Sequence, residues 1–183
     1  DVPARLVGTA WRVNGMRTLI AIGLLLAGLG TASAQSQTVF LIRHAEKAAE
    51  PTDDPILSEA GSARAALLPG LFANAMPAAV FSSQFQRTRL TAQPVADAVG
   101  IPVTVIAIGK ESADSYPQTV LESICRLPDG ATALVVGHSN TVPAMVSAWT
   151  GEPVPAIADD QYDRLFIVRL RGCASEGWSD LRY

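Results

Sequence analysis

The chain has two histidines, and each follows a run of apolar residues that predicts a buried strand. His44 comes after residues 39–43, and His138 comes after residues 134–137. Because parallel strands end at the same edge of a sheet, residues that follow two such strands can meet although they are far apart in the sequence. A neutral imidazole is a nucleophile, so two converging rings predict a reactive site. Either histidine alone could equally be a hydrogen-bonded residue of the core.

Two arginines accompany these histidines. Arg43 directly precedes His44, and Arg87 stands in the segment 82–92, which follows another apolar run. Guanidinium groups bind phosphate oxygens in a bidentate manner and keep their charge at any working pH. A charged side chain at the end of a buried strand is costly without an anionic partner, so the pattern indicates a phosphate site. Arg89 is predicted to face away from Arg87 on a helix.

Three short motifs carry these residues. They are Arg-His-Ala-Glu-Lys at 43–47, Ser-Ser-x-x-x-Arg-Thr-x-x-Thr-Ala at 82–92, and Gly-His at 137–138. In this order they resemble the histidine phosphatase superfamily, in the branch that contains the cofactor-dependent phosphoglycerate mutases. Ala45 stands where the family motif has glycine. The resemblance covers nearly all of residues 35–183.

The resemblance implies a role for each site residue. His44 would attack phosphorus to form a phosphohistidine, while Arg43, Arg87 and a protonated His138 would neutralise the phosphoryl oxygens. It implies neither a metal nor a cofactor. The two cysteines and two histidines also lack the paired spacing of a zinc site.

Many family members protonate the leaving group with a carboxylic acid placed before the Gly-His motif. Asp114 is the predicted acid because it lies in a loop after a candidate strand, with Glu111 and Glu122 as alternatives. Asn140 opens the helix predicted after the Gly-His strand and is expected to contact the substrate anion. Lys47 is either a substrate-attracting residue at the mouth of the site or a solvated loop lysine.

The elements that must position these residues alternate along the chain. Apolar runs predict strands at 38–43, 79–82, 132–137 and 165–170, with 101–108 as a fifth candidate. Apolar periodicity and end signals predict helices at 58–75, 86–99, 114–126 and 141–150. This alternation predicts a three-layer α/β/α sandwich with a mostly parallel central sheet, like that of the phosphoglycerate mutases.

Residues 1–34 are predicted to lie outside this domain, as an upstream segment followed by a cleavable signal peptide. A basic start at Met16-Arg17, an apolar stretch at 19–29 and the small residues at 32–34 indicate this leader. The apolar stretch is shorter than the roughly 20 residues of a membrane helix. We therefore expect an exported protein, periplasmic or secreted, without a stable membrane anchor, whose single domain spans residues 35–183.

The net charge restricts the kinds of molecule that the protein can bind. The formal net charge is −3 at pH 7, without a basic cluster, which argues against nucleic acid as a partner. The expected partner is a phosphorylated small molecule or a phosphoprotein, and the sequence defines no oligomeric state.

Cys125 and Cys173 either form a disulfide or are two unrelated residues, and the sequence leaves both alternatives open.

Three functions fit these residues to different degrees. The favoured one is an exported phosphatase that hydrolyses a phosphomonoester or a phosphoamidate. The alternatives are a non-catalytic module that binds phosphorylated ligands and a phosphotransferase of the phosphoglycerate mutase type, for which the chain has little insert sequence to build a lid. Two facts argue against a serine nucleophile elbow at 137–141: Thr141 replaces the final glycine of that motif, and no histidine follows His138.

Overall fold

The computed structural model describes residues 35–50 and 53–183. The leader predicted for residues 1–34 lies outside the described residues, so the signal peptide and the domain boundary stay predictions. None of the described helices is both long and apolar enough to cross a membrane. The described elements are β1 (Ser36–Arg43), α1 (Glu59–Leu67), β2 (Ala79–Ser82), α2 (Gln86–Val99), β3 (Val103–Val105), α3 (Tyr116–Cys125), β4 (Ala131–Gly137), α4 (Thr141–Thr150), β5 (Arg164–Arg171) and β6 (Ala174–Arg182).

These strands form one sheet in the order β3-β2-β4-β1-β5-β6. Strands β1 to β4 are parallel to one another, whereas β5 and β6 pair in antiparallel fashion at one side. In the β1–β4 pair, Arg43 lies opposite Gly137. The next residues, His44 and His138, therefore leave the sheet side by side.

Two apolar cores cover the two faces of the sheet. On one face, Leu41 and Val135 pack with residues of α3 and α4. On the other, Ile42 and Val136 pack with residues of α2 and of the short 3₁₀ helix that follows α1. Successive side chains of a strand point to opposite faces, so a continuous apolar run fills both cores. The predicted α/β/α sandwich with a mostly parallel sheet is confirmed.

Two predicted elements are shorter than the sequence pattern suggests. The helix predicted at 58–75 is capped by Ser58 as expected, but α1 is replaced by a 3₁₀ helix over Leu68–Phe72. Pro69 lies at the start of this 3₁₀ helix and cannot donate a backbone hydrogen bond. The candidate strand at 101–108 is reduced to the three residues of β3.

The sequence pattern predicts no strand after β5, yet β6 pairs with it along its length. Its residues are mostly exposed or half-buried, as expected for an edge strand, so the apolar signal is weak. Gly172 and Cys173 connect the two strands, and both have positive φ angles, as in the type I′ turns that favour tight hairpins.

Cys125 and Cys173 form a disulfide, which decides between the two alternatives that the sequence leaves open. Their Cα atoms lie 5.7 Å apart and their sequence separation is 48. The bond joins the end of α3 to the β5–β6 turn. In the chain-entropy model, closing a loop of this length stabilises the folded state by about 4 kcal/mol.

Candidate active site

The rings of His44 and His138 meet at the carboxyl edge of the sheet, with their centroids 5.4 Å apart. The backbone N–H of His44 also donates to the Gly137 carbonyl at 2.9 Å. A Cβ atom at Gly137 would lie 2.8 Å from the hydroxyl oxygen of Thr141. The lack of a side chain at this position therefore lets α4 begin directly beside the two rings.

One tautomer of His44 follows from its hydrogen bond. Nδ1 lies 2.8 Å from the Ala45 carbonyl oxygen, which can only accept, so Nδ1 carries the proton and Nε2 carries a lone pair. The pKa of His44 is lowered to about 4, mainly by burial; this bond opposes the shift, and the nearby arginines contribute to it. His44 is therefore neutral at pH 7, in the form that can act as a nucleophile.

A chain of hydroxyl groups orients the second imidazole. Thr88 donates to the Phe85 carbonyl at 2.8 Å, so its hydroxyl oxygen must accept from Ser83, 2.8 Å away. The Ser83 oxygen in turn accepts from Nε2 of His138 at 2.9 Å. This pattern leaves Nδ1 of His138 deprotonated, as the ring nitrogen available to a ligand.

His138 differs in charge from the state that the family resemblance implies. Its pKa is lowered to about 3, mainly by burial, with smaller contributions from the charges of Arg87, His44 and Arg43. At pH 7 this imidazole is neutral, not protonated. A phosphate dianion beside the ring would raise its pKa, because an opposite charge favours the protonated form.

Arg43 is buried, with 5% of its surface exposed. Its Nη1 donates to three backbone carbonyls, and its guanidinium carbon lies 4.2 Å from the centre of the Tyr162 ring. Nε is buried and has no hydrogen-bond partner among the described residues. Leaving such a donor unpaired costs about 1–3 kcal/mol, so an anion that accepts from it would be stabilised. The three carbonyls belong to Ala158, Asp159 and Gln161.

Arg87 lies over the ring of Phe85, with its guanidinium carbon 4.4 Å from the ring centre. Its Nη1 is 3.7 Å from a carboxylate oxygen of Asp54, which also accepts from the backbone of Gln86. Burial lowers the pKa of Arg87, and the Asp54 carboxylate opposes this effect. Arg89 is exposed, as its position two residues further along the helix predicts.

Thr91 links the helix that carries Arg87 to the loop that carries His44. Its hydroxyl donates to the Arg87 carbonyl at 2.7 Å and accepts from the Ala45 backbone at 2.9 Å. Thr91, Ser83 and Thr88 carry no role predicted from the sequence. All three are hydroxyl positions of the second motif, and this was the available signal; the structure shows that they are buried.

His44, Arg87 and His138 line a cavity of about 590 Å³, whereas the buried Arg43 is not part of its lining. Asn140 lies at the cavity edge, just before α4, where the sequence predicts it. No carboxylate is found among the described residues of the lining, nor do the described residues include a group of His, Cys, Asp and Glu that could hold a metal ion. The lining consists of His44, Lys47, Phe85, Arg87, Ile108, Gly109, Lys110, Ala113, His138, Ser139, Asn140 and Thr141.

Asp114 is not among the residues that line this cavity. Its side chain is exposed, and the neighbouring Ala113 lines the cavity instead. Glu111 is exposed as well, and Glu122 accepts a hydrogen bond from Gln118 on the exposed side of α3. The assignment of Asp114 as the proton donor therefore stays a prediction without geometric support.

The fold and the site define an α/β protein with imidazole and guanidinium groups clustered at the carboxyl edge of its parallel strands. Residues 39–111 match the family profile of the histidine phosphatase superfamily (branch 1). This match includes Arg43, His44 and Arg87, and it confirms the resemblance inferred from the three motifs. No match is found among curated protein sequences.

Solved structures with the same fold include several phosphatases. The protein histidine phosphatase SixA in complex with tungstate is 19% identical, with a TM-score of 0.59, over 79% of this chain and 96% of that one. SixA from Agrobacterium tumefaciens is 26% identical, with a TM-score of 0.55, over 80% and 97%. A mycobacterial glucosyl-3-phosphoglycerate phosphatase is 15% identical, with a TM-score of 0.59, over 81% and 99%.

The two histidines allow a direct test of the electrostatics. We expect their ring protons to titrate near pH 4 for His44 and near pH 3 for His138, because burial and neighbouring arginines disfavour the charged form. Proton NMR of the untagged chain would measure both midpoints, with His44→Gln to assign them. A midpoint near 6.5 for either ring would contradict this expectation.

The same depressed pKa values make stability depend on pH. An unfolded histidine takes up its proton near pH 6.5, whereas the folded protein does so only near pH 4 or below. The unfolded chain therefore binds more protons between these values, and the free energy of unfolding falls as the pH is lowered from 6.5 towards 4. Well above pH 6.5 both histidines are neutral in the folded and the unfolded chain, so they do not change the free energy of unfolding with pH.

The hydroxyl chain behind His138 can be tested with Ser83→Ala. We expect kcat/KM for a phosphate ester to fall about fivefold, the effect of losing one hydrogen bond of about 1 kcal/mol. Nitrogen-15 NMR should show that the proton of His138 is no longer confined to Nε2. Ser83→Thr should restore both properties.

Ser82→Ala is the matched control, because it removes a buried hydroxyl that donates to the Ser83 carbonyl and does not contact His138. We expect it to leave the His138 tautomer unchanged. Equal effects of Ser82→Ala and Ser83→Ala on kcat/KM and on the tautomer would show that the relay does not exist.

Proposed function

We propose that this protein is a phosphatase that hydrolyses a phosphomonoester or a phosphoamidate through a phosphohistidine on His44. The observation that carries the proposal is a neutral His44 with its Nε2 lone pair free, beside a second imidazole 5.4 Å away and two largely buried guanidinium groups. The family profile and the phosphatases of the same fold support it.

In the first step, the Nε2 lone pair of His44 forms a bond to phosphorus while the bond from phosphorus to the leaving group breaks. The leaving group keeps the electron pair and takes up a proton. The ring then carries a positive charge, which the Ala45 carbonyl stabilises by accepting from Nδ1. In the second step, water attacks phosphorus, the P–N bond breaks, its electron pair returns to Nε2, and inorganic phosphate leaves with release of a proton.

The arginines make this transfer possible. A phosphoryl group carries up to two negative charges, and a nucleophile approaches it only where cations and donors neutralise its oxygens. Arg43 has an unpartnered buried Nε, for which a phosphoryl oxygen would be the acceptor. Arg87 lines the cavity, and a phosphate dianion would compete with Asp54 for its guanidinium.

The lining of the cavity bears on the choice of leaving group. Because no carboxylate of the described residues lines it, the leaving group would have to take its proton from water or from a protonated His138. Leaving groups of low basicity need little protonation, and an amine that is protonated before the P–N bond breaks leaves readily. The proposal therefore favours acidic alcohols and phosphoamidates over simple alkyl esters.

Turnover of p-nitrophenyl phosphate by the full chain tests this function. A phosphatase releases inorganic phosphate and nitrophenol in equal amounts over many cycles. A module that only binds phosphorylated ligands would show binding of inorganic phosphate by calorimetry and no release of nitrophenol. A phosphotransferase of the mutase type would interconvert phosphoglycerates without releasing phosphate in proportion. Either of these last two results would overturn the proposal.

We further propose that the protein is exported, to the periplasm or outside the cell. The signal-like pattern at 16–34 and the Cys125–Cys173 disulfide support this location, since disulfides persist in oxidising compartments. Mass spectrometry of the protein from culture medium or periplasm should find a mature chain that begins at Gln35. Retention of the full-length chain in the cytoplasm would argue against export.

A further inference from the structure

Lysine occurs only twice in this chain, at positions 47 and 110, and both lysines line the cavity beside His44. The other Lys or Arg positions of the chain are all arginines. The two lysines come from separate segments, the loop after β1 and the loop between β3 and α3. Their convergence on one cavity is therefore a property of the tertiary structure.

The loop that carries Lys47 is held by backbone hydrogen bonds. Lys47 pairs with Leu57 in an isolated antiparallel bridge. The Ala48 amide donates to the Ile56 carbonyl and the Ser58 amide donates to the Glu46 carbonyl, both at 2.9 Å. Residues 46–48 are thus paired with residues 56–58, and this pairing keeps the lysine at the cavity.

The loop that carries Lys110 is held by the second motif. The side chain of Gln84 accepts from the Ile108 amide at 2.9 Å and donates to the Ile108 carbonyl at 2.8 Å. The Gly109 amide donates to the Ser112 hydroxyl at 2.9 Å. Gln84 lies three residues before Arg87, so the segment that supplies a phosphate-binding arginine also fixes the loop of the second lysine.

Both lysines are exposed side chains. Neither lysine forms an ion pair with a described residue. Glu46, next to Lys47, is instead bound by two nitrogens of Arg64, which lowers the pKa of this carboxylate. Lys47 lies close enough to His44 for its charge to lower the pKa of that ring.

The cavity is also larger than a phosphoryl group needs. Its volume of about 590 Å³ lies in the range of sites for whole small molecules, about 300–1,000 Å³. His44, Arg87 and His138 account for the phosphoryl group. The rest of the lining offers two cations and, among the described residues, no carboxylate.

We infer that the substrate carries a second anionic group, a carboxylate or a second phosphate, which Lys47 and Lys110 bind while the phosphoryl group lies at His44. The assignment of the phosphoryl end rests on the proposed function. Ammonium groups on flexible stems bind either kind of anion, so the shared feature is a small molecule with two separate anionic groups rather than one particular acid.

Three non-hydrolysable phosphonates of the same chain length test this inference. They are propylphosphonate, 3-phosphonopropionate and propane-1,3-bisphosphonate, which end in a methyl, a carboxylate and a second phosphonate group. Each is measured as a competitive inhibitor of p-nitrophenyl phosphate hydrolysis by the full chain. We expect at least one of the two probes with a second anionic group to have an inhibition constant at least tenfold below that of propylphosphonate, and the comparison between the two identifies the second anion.

The ratio of interest is the inhibition constant of propylphosphonate divided by that of the tighter-binding probe. Lys47→Ala and Lys110→Ala should each reduce this ratio by at least threefold, and the double variant should bring it close to one. Arg89→Ala is the matched control, because it removes an exposed positive charge outside the cavity and should leave the ratio unchanged. A ratio near one in the unaltered protein, or equal effects of the lysine and Arg89 variants, would overturn the inference. If p-nitrophenyl phosphate is not hydrolysed, the proposed function fails, and dissociation constants of the three probes from calorimetry still decide on the second anion.

Discussion

Replacing His44 by alanine is expected to lower kcat for p-nitrophenyl phosphate by at least about 10³-fold, since the variant lacks the atom that forms the covalent intermediate. In the folded chain, the Nε2 lone pair of this ring is available at neutral pH because burial lowers its pKa to about 4. His138 is the only other imidazole of the chain; its Nε2 donates to Ser83, so its Nδ1 lone pair is the alternative nucleophile that the labelling experiment below tests. The measurement is a steady-state rate with a circular dichroism spectrum to verify folding.

The covalent step can be observed separately. Rapid acid-free quenching of the reaction with a ³²P-labelled substrate should leave label on the protein that is stable to base and labile to acid, as expected for phosphohistidine. Peptide mapping should place this label on His44, and His44→Ala should carry none. Turnover that survives His44→Ala, or label on a serine or on His138, would show that the nucleophile has been assigned wrongly.

The second large effect is expected for Arg87→Ala. The variant loses a fixed positive charge at the site of phosphoryl transfer, and kcat/KM should fall by about 10²–10³-fold, as for other groups that stabilise transition-state charge. Arg87→Lys should recover only part of this loss, because an ammonium group cannot bind two phosphoryl oxygens in the planar arrangement of a guanidinium group. Steady-state kinetics with p-nitrophenyl phosphate measures both variants.

Arg89→Ala provides the control for this comparison within the same helix. Arg89 is exposed and is not part of the cavity lining, so kcat/KM should remain within about twofold of the original value. The two variants remove the same charge from the same helix, and they differ only in whether that charge faces the cavity. Similar losses for both would mean that Arg87 acts through the general field of the protein and not at the phosphoryl group.

Much of the fold could be predicted from the sequence, because the apolar runs of β1, β2 and β4 are buried on both faces and are therefore nearly continuous. The edge strand β6 could not, since an edge strand exposes much of its surface and its polar residues hide the pattern. The first predicted helix is shortened at Pro69, where a 3₁₀ helix begins. The apolar periodicity of the sequence continues past this proline and therefore did not indicate the change of helix type.

The candidate site was predictable to the extent that it depends on rare residue types at strand ends. His44, His138 and Arg87 were singled out in this way, and the structure brings all three to one cavity. Side-chain partners across long sequence separations could not be derived. The three carbonyls that hold Arg43 come from a loop more than a hundred residues away, and the loop that carries Asp114 turns Ala113 to the cavity instead.

The sequence by itself determined which groups can do chemistry here: two imidazoles, two arginines beside them, and the alternating elements that bring strand ends to one edge. Only the tertiary structure decided their ionisation, because the pKa of an imidazole depends on its burial and on charges that approach it from other segments. It also decided that the chain's two lysines share the cavity with its two histidines. That arrangement depends on the paths of two loops, which are set by long-range hydrogen bonds rather than by local pattern.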